Sequence, residues 1–339
     1  MTRNAKLALV LGAVLAGAAV LRWQLAPDSD VARAWEADFA LPDTAMIDRI
    51  FIADMDSGQA LIERVPGERY WRLNGRHSAR KDAVDLLLKT ALRAGVRGPV
   101  PEGERETVIR MLAARGKKVE WYTGGDTPAK TWYIGTATPS HTGTYMLLET
   151  PDGKASEPFI VHMEGFSGFL STRFFTDERE WRYTGVFDFP GRELEEIEFR
   201  VTGNPPVSFT ARVDSSGKLS VFDFVGNRRT VVDSTGWQDR FLLHRKVHLE
   251  TFNSYLSPDQ QDSLARTRPA FVLRARGSGM AVADSIELYW KKPTLDAFDD
   301  QGRVLPWDGA RMYARVRGEF VLVQRFVFDP LIAPPPAWR

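Results

Sequence analysis

The chain contains no cysteine, which removes disulfides, thiolate metal sites and a cysteine nucleophile together, along with the acylated cysteine that a lipoprotein needs. Any membrane tether must therefore be a helix of the chain itself. Histidine is scarce, with five in 339 residues, so imidazole-based metal or proton-transfer sites have few places to be. Net charge is nearly absent, because 45 Lys and Arg residues face 44 Asp and Glu residues. Setting aside Arg3, Lys6 and Arg22 leaves the remainder slightly acidic, without a nucleic-acid footprint. Signature loops are missing as well: there is no G-x-G-x-x-G, no phosphate loop and no H-E-x-x-H. Gly165-Phe166-Ser167-Gly168 brings its second glycine too early for the G-x-S-x-G nucleophile elbow. It reads instead as a tight turn before a short helix in which Phe166, Phe169 and Leu170 cap a sheet.

One long hydrophobic run is present. Arg3 and Lys6 precede apolar residues 7–21, and Arg22 and Trp23 follow them. A basic start before such a run is export machinery, which places everything after about residue 27 outside the cytoplasm. Residues 7–26 predict a single-pass anchor in the cytoplasmic membrane, with Arg22 snorkelling and Trp23 at the interface. The other reading is a signal peptide cleaved after Ala16-Gly17-Ala18 or Gln24-Leu25-Ala26. Residues 27–45, broken by Pro27, Asp28, Asp30 and Pro42, read as a tether, with folded structure starting near Met46.

From there the pattern alternates strand and turn. Residues 47–53 and 60–65 flank the turn Asp56-Ser57-Gly58, and residues 70–73 end at Asn74-Gly75. Val84, Leu87, Leu88, Ala91 and Leu92 form the stripe of an amphipathic helix stopped at Gly95. A second helix carries Val108, Met111 and Leu112 and ends at Gly116. Four strands follow near residues 119–122, 131–134, 144–148 and 158–161. The second half reads as the same programme: strands near 194–201, 207–213, 219–222 and 230–232, a helix opened by Arg245-Lys246 with Leu249, Phe252 and Leu256 inward, then strands near 271–274, 286–290, 312–316 and 320–323. The expected fold is therefore α+β: two tandem, duplicated units, residues 46–189 and 190–339, each a mostly antiparallel sheet with helices on one face.

Trp71-Arg72-Leu73-Asn74-Gly75, Tyr133-Ile134-Gly135, Gly143-Thr144-Tyr145-Met146 and the stretch from Gly165 through Ser171-Thr172-Arg173-Phe174 resemble the bacterial family called domain of unknown function 4340. The likeness covers most of residues 46–185 and continues more weakly beyond. It implies an extracytoplasmic, commonly membrane-tethered α+β protein, related to a domain in the auxiliary membrane component of the gliding-motility ABC transporter. It implies no catalytic residues. The chain lacks the multiple spans of such a transporter subunit.

Three constellations remain for chemistry. His244 and His248 are spaced i, i+4, but with the helix starting near Arg245 the first lies outside it. If the strands around Asp152-Gly153 pair so that positions sum to about 305, His141, His162 and Glu164 share one face at the open end of a hairpin, where two imidazoles and a carboxylate could hold a metal or move a proton. Asp296, Asp299 and Asp300 lack calcium-loop spacing and read as a turn. Near the C-terminus, Pro334-Pro335-Pro336-Ala337-Trp338 reads as a segment pinned by its tryptophan, the alternative being a polyproline ligand. The sequence thus predicts an envelope protein that binds a protein partner, with no catalysis and no cofactor. The alternative is an exported metal- or carboxylate-dependent hydrolase using His141, His162 and Glu164.

Overall fold

The computed structural model describes residues 34–189, 193–252 and 255–338. The chain divides into two compact units, Met1–Tyr183 and Thr184–Arg339. The hydrophobic run 7–26, and Pro190 and Gly191 of the expected seam, lie outside the described residues. Among the described residues no helix is long and apolar enough to cross a membrane.

The first unit opens with β1 (Arg49–Ala53), β2 (Gln59–Glu63), β3 (Arg72–Leu73) and β4 (His77–Ser78). Helix α1 (Lys81–Arg93) leads directly into β5 (Ala94–Pro99), and α2 (Glu102–Arg115) into β6 (Lys117–Tyr122). Then come β7 (Lys130–Ala137), β8 (Thr144–Thr150), β9 (Gly153–Lys154), β10 (Phe159–Met163) and the short α3 (Glu178–Trp181). The strands form one sheet in the order β4-β3-β2-β1-β6-β7-β8-β10-β5, with β9 on β8. Ile50 and Ile52 alternate with half-buried neighbours along β1, and Val84, Leu87 and Ala91 form the buried stripe of α1. These side chains meet Trp121 and Trp132, whose rings lie 4.9 Å apart, in one core.

Residues from 34 onward are no tether. Phe39 and Leu41 are buried in that core, Glu36 accepts from the Ser156 amide and hydroxyl at 2.9 and 2.7 Å, and Lys130 Nζ holds the Ala40 carbonyl at 2.7 Å. The prolines and aspartates that suggest a linker flank a short apolar plug.

Helices in this unit lie on both faces of the sheet, against the one-face expectation. Trp132 and Ile134 face the α1 core, whereas Tyr133, Leu147 and Ile160, of opposite parity, pack with Val108, Met111 and Leu112 of α2. Gly135 makes the close approach possible: a β-carbon there would meet Met111 Cε at 2.9 Å and Leu112 Cδ2 at 3.0 Å.

The second unit begins with β11 (Gly185–Asp188), which pairs with β16 (Lys246–His248) and so moves the boundary ahead of the expected seam. Its large sheet uses β12 (Leu194–Val201), β13 (Phe209–Val213), β14 (Leu219–Asp223), β15 (Arg228–Arg229), β17 (Thr251–Phe252), β18 (Phe271–Gly277), β19 (Asp284–Tyr289), β20 (Arg311–Val316) and β21 (Glu319–Gln324). Helix α4 (Ser234–His244) precedes β16, α5 (Pro258–Ala265) follows β17 and α6 (Arg325–Ile332) follows β21. The order is β15-β14-β13-β12-β18-β19-β20-β21-β17, which places successive strands as the first sheet does. Every pairing among the described residues is antiparallel.

The helix expected from Arg245 is displaced. Arg245 ends α4 and the chain continues extended, with Val247 of β16 and Leu249, just past its end, buried at a spacing of two. Leu249 and Phe252 are core residues, as expected, but from extended chain; Leu256 is half-buried. Trp338 is pinned as read from sequence, stacked on Trp237 at 5.7 Å and bridged to Val231. Buried Arg240 completes the clasp by donating to the carbonyls of Pro330, Ala333 and Pro334.

The outward side of this sheet carries charge where the first carries a helix. Glu196 bonds Arg212 at 2.7 Å and Arg276 at 3.4 Å, and Glu198 bonds Arg200 at 2.6 Å and Arg274 at 3.1 Å. Burial raises the Glu198 carboxyl, but its two arginines outweigh this and hold it below the usual carboxylate range. Helix α5 buries no side chain.

Candidate functional site

Strands β8 and β10 pair in the register read from sequence, with Phe159 opposite Met146 and Val161 opposite Thr144. Beyond Val161 the pairing with β8 stops while that with β5 continues, so that His162 stands opposite Gly95 of β5. The His162 ring lies over that glycine: a β-carbon at position 95 would sit 3.3 Å from Cε1. Burial lowers the His162 pKa, and Arg97 lowers it further against the opposing pull of Glu164. The imidazole is therefore neutral near pH 7, with one donor and one acceptor nitrogen.

His141 occupies a left-handed turn position, φ 55°, and its ring packs 5.8 Å from Phe169. Glu164 is exposed and anchors through its amide to the Arg93 carbonyl at 3.2 Å. The three residues share the open end of the hairpin without being gathered on one point. Among the described residues no group of three His, Asp or Glu side chains is placed to hold a metal ion.

His244 and His248 do not share a helix face. His244 is inside α4, fully buried, stacked on Phe187 at 5.9 Å and donating from Nδ1 to the Arg240 carbonyl at 2.8 Å. Burial depresses its pKa to about 4. His248 lies on β16 with Nδ1 3.0 Å from the Thr184 hydroxyl. Asp299 caps a turn by accepting from the amides of Gln301 and Arg303, both at 2.9 Å.

Sequence reasoning passed over Arg173. It is 8% exposed, donates from Nη1 to Thr90 Oγ1 at 2.7 Å and lies 4.2 Å from the centre of the Phe166 ring, which folds over it. Thr90 stands in the last turn of α1, where carbonyl partial charge favours a cation.

A concave, largely apolar site of the first unit lies on the outward side of its sheet, under the C-terminal half of α2. Ile109, Leu112, Ala113 and Gly116 roof a cavity of about 350 Å³ floored by Ala53, Lys118, Tyr133 and Leu147. Met55, Asp54 and Lys154 border it. Lys154 Nζ lies 3.7 Å from the centre of the Tyr133 ring. The Tyr133 hydroxyl donates to Glu149 at 2.7 Å, and burial with that carboxylate pushes its pKa up to about 12. The signal in the sequence is the unbroken runs Trp132-Tyr133-Ile134 and Tyr145-Met146-Leu147-Leu148: continuous rather than alternating apolar residues mean that both faces are covered.

No protein-family model, no curated protein and no solved structure matches the chain.

Proposed function

We propose that this protein is a membrane-tethered, extracytoplasmic binding or assembly component of the bacterial cell envelope, built from two tandem copies of one α+β unit that resembles domain of unknown function 4340. The observation that carries the binding reading is an apolar outgrowth between β19 and β20. Phe298 and Val304 are bridged across a small hairpin, yet are 59% and 60% exposed, and neighbouring Leu295 is 83% exposed. The outgrowth is braced at its base, where Lys291 pairs with Asp308 at 2.7 Å and Trp307 stacks on Trp290 at 5.8 Å. An ordered hairpin holding large apolar side chains in water is costly for a free protein and useful against a partner. The first unit has only the short turn 138–143 at the corresponding place. Duplication is supported by the matching strand orders, and tethering by Arg3 and Lys6 ahead of the hydrophobic run.

The test is crosslinking in intact cells followed by affinity purification from membranes. A specific envelope protein should co-purify with the parent and be lost when Leu295, Phe298 and Val304 are all changed to Asp. An unchanged set of crosslinked proteins would exclude the outgrowth as the docking element. Alkaline phosphatase fused after Arg339 should be active and should pellet with membranes through a carbonate wash; an inactive fusion would end the extracytoplasmic reading.

A further inference from the structure

We infer that the cavity under α2 is a binding site for a medium-length fatty carboxylate, its chain in the cavity and its carboxylate on Lys154. At roughly 30 Å³ for each water-sized group, the 350 Å³ present holds about a dozen such groups, within the lower range of ligand cavities. Its walls are mostly apolar, with Asp54, Lys118 and Lys154 supplying the charged groups, and two apolar side chains at its mouth are left to water, Met55 at 63% and Ile109 at 44% exposed. An apolar chain entering here would cover both.

The polar groups around the cavity differ in what they have left to offer. Asp54 is saturated: Oδ1 accepts from the amides of Asp56 and Gly58 at 2.9 and 2.8 Å, and Oδ2 from the Thr176 hydroxyl. The Lys118 ammonium is bound to Glu120 at 2.6 Å. Lys154 is different. Its one ion pair, with Glu149, is long at 4.0 Å, to a carboxylate oxygen that already accepts from the Tyr133 hydroxyl, and among the described residues no hydrogen bond of its ammonium is found. It rests on the Tyr133 face instead, with three donors to give. An apolar cavity bordered by a cation that no carboxylate holds at hydrogen-bond distance selects a chain carrying an anion, and a carboxylate is the anion whose size fits a single ammonium.

The test uses the full chain in phosphatidylcholine nanodiscs and a decanoate bearing a diazirine at its far end. Photolysis should label peptides containing Met55, Ile109 or Ala113, and excess decanoate should suppress that label while decyltrimethylammonium does not. Ala113→Trp, which fills the cavity from an exposed position, should reduce labelling at least tenfold, and Lys154→Ala should weaken decanoate competition at least tenfold. If Ala113→Trp does not fold, Met55→Glu puts a like charge at the exposed mouth and should give the same loss. Label spread evenly over both units, or label unchanged in the cavity variant that folds, overturns the site. Equal competition by decanol overturns the carboxylate assignment.

Discussion

Helices α2 and α5 follow the edge strand at the same place in two sheets of matching order, yet α2 buries Val108 and Leu112 and α5 buries nothing. The difference is written in the outward positions of the strands beneath. In the first sheet they include Phe51 and Ala53 on β1, Tyr133 and Gly135 on β7, and Tyr145 and Leu147 on β8; in the second, the strand corresponding to β1 presents Glu196 and Glu198 to arginines. Strand order decides where a helix returns. Outward side chains decide whether it has anything to sit on, so one layout yields a roofed cavity in one unit and a charged open face in the other.

The comparison breaks most severely at the shared inner layer. Leu87→Ala in α1 should cost roughly 2–5 kcal/mol and should lower the denaturant midpoint of the first unit alone, read by limited proteolysis on either side of Tyr183. Equal loss in both units would mean that they do not unfold separately.

The next effect is confined to the second unit and comes from His244. Its folded pKa of about 4 lies below the unfolded value near 6.5, so the neutral ring contributes stability that is complete above pH 6.5 and is lost progressively as pH falls toward 4. The stake is up to about 3 kcal/mol. In urea titrations across this window the difference between parent and His244→Leu should shrink as pH falls; a difference independent of pH would refute the assignment.

Gly135→Val tests the roof. It should cost about 1–3 kcal/mol by pushing Met111 and Leu112 off the sheet, with increased amide exchange in α2 and none in α1. Unchanged exchange in α2 would show that the close approach at Gly135 is unimportant.

Smallest is the charged face. Arg276→Ala should cost less than about 1 kcal/mol, because its pairs are partly solvated, and the cost should fade in high salt. A larger, salt-insensitive loss would mean that this face is structural in the way the first unit's roof is.

Much of the fold was legible because strands that alternate buried and exposed residues announce themselves. The register of β8 on β10 followed from the turn at Asp152-Gly153, and β12 runs over the residues predicted for it. Helix α4 escaped notice because its inward stripe is Trp237, Arg240, Phe241 and His244, correctly spaced but half polar. Strand β5 escaped because Gly95, Gly98 and Pro99 are poor strand formers that pair only with β10, at a sheet edge. That the outward face beneath α2 is covered was legible in the unbroken runs of β7 and β8; that the cover leaves a cavity was not. The cavity depends on how far a helix returns over a sheet, which no local pattern specifies.

The Arg240 clasp also has a consequence in time. As a chain emerges from synthesis or export, segments fold in the order in which they become available. The first unit has all its strands by residue 163 and its last core tryptophan at Trp181. The second cannot satisfy Arg240 until Pro330, Ala333 and Pro334 arrive, nor seat Trp237 against Trp338 before that residue emerges. Its α4 must wait nearly a hundred residues with the Arg240 cation unsatisfied and with Trp237 packed on Phe209 but not yet covered by Trp338. The interval is one in which this unit, and not its neighbour, is open to chaperones and proteases.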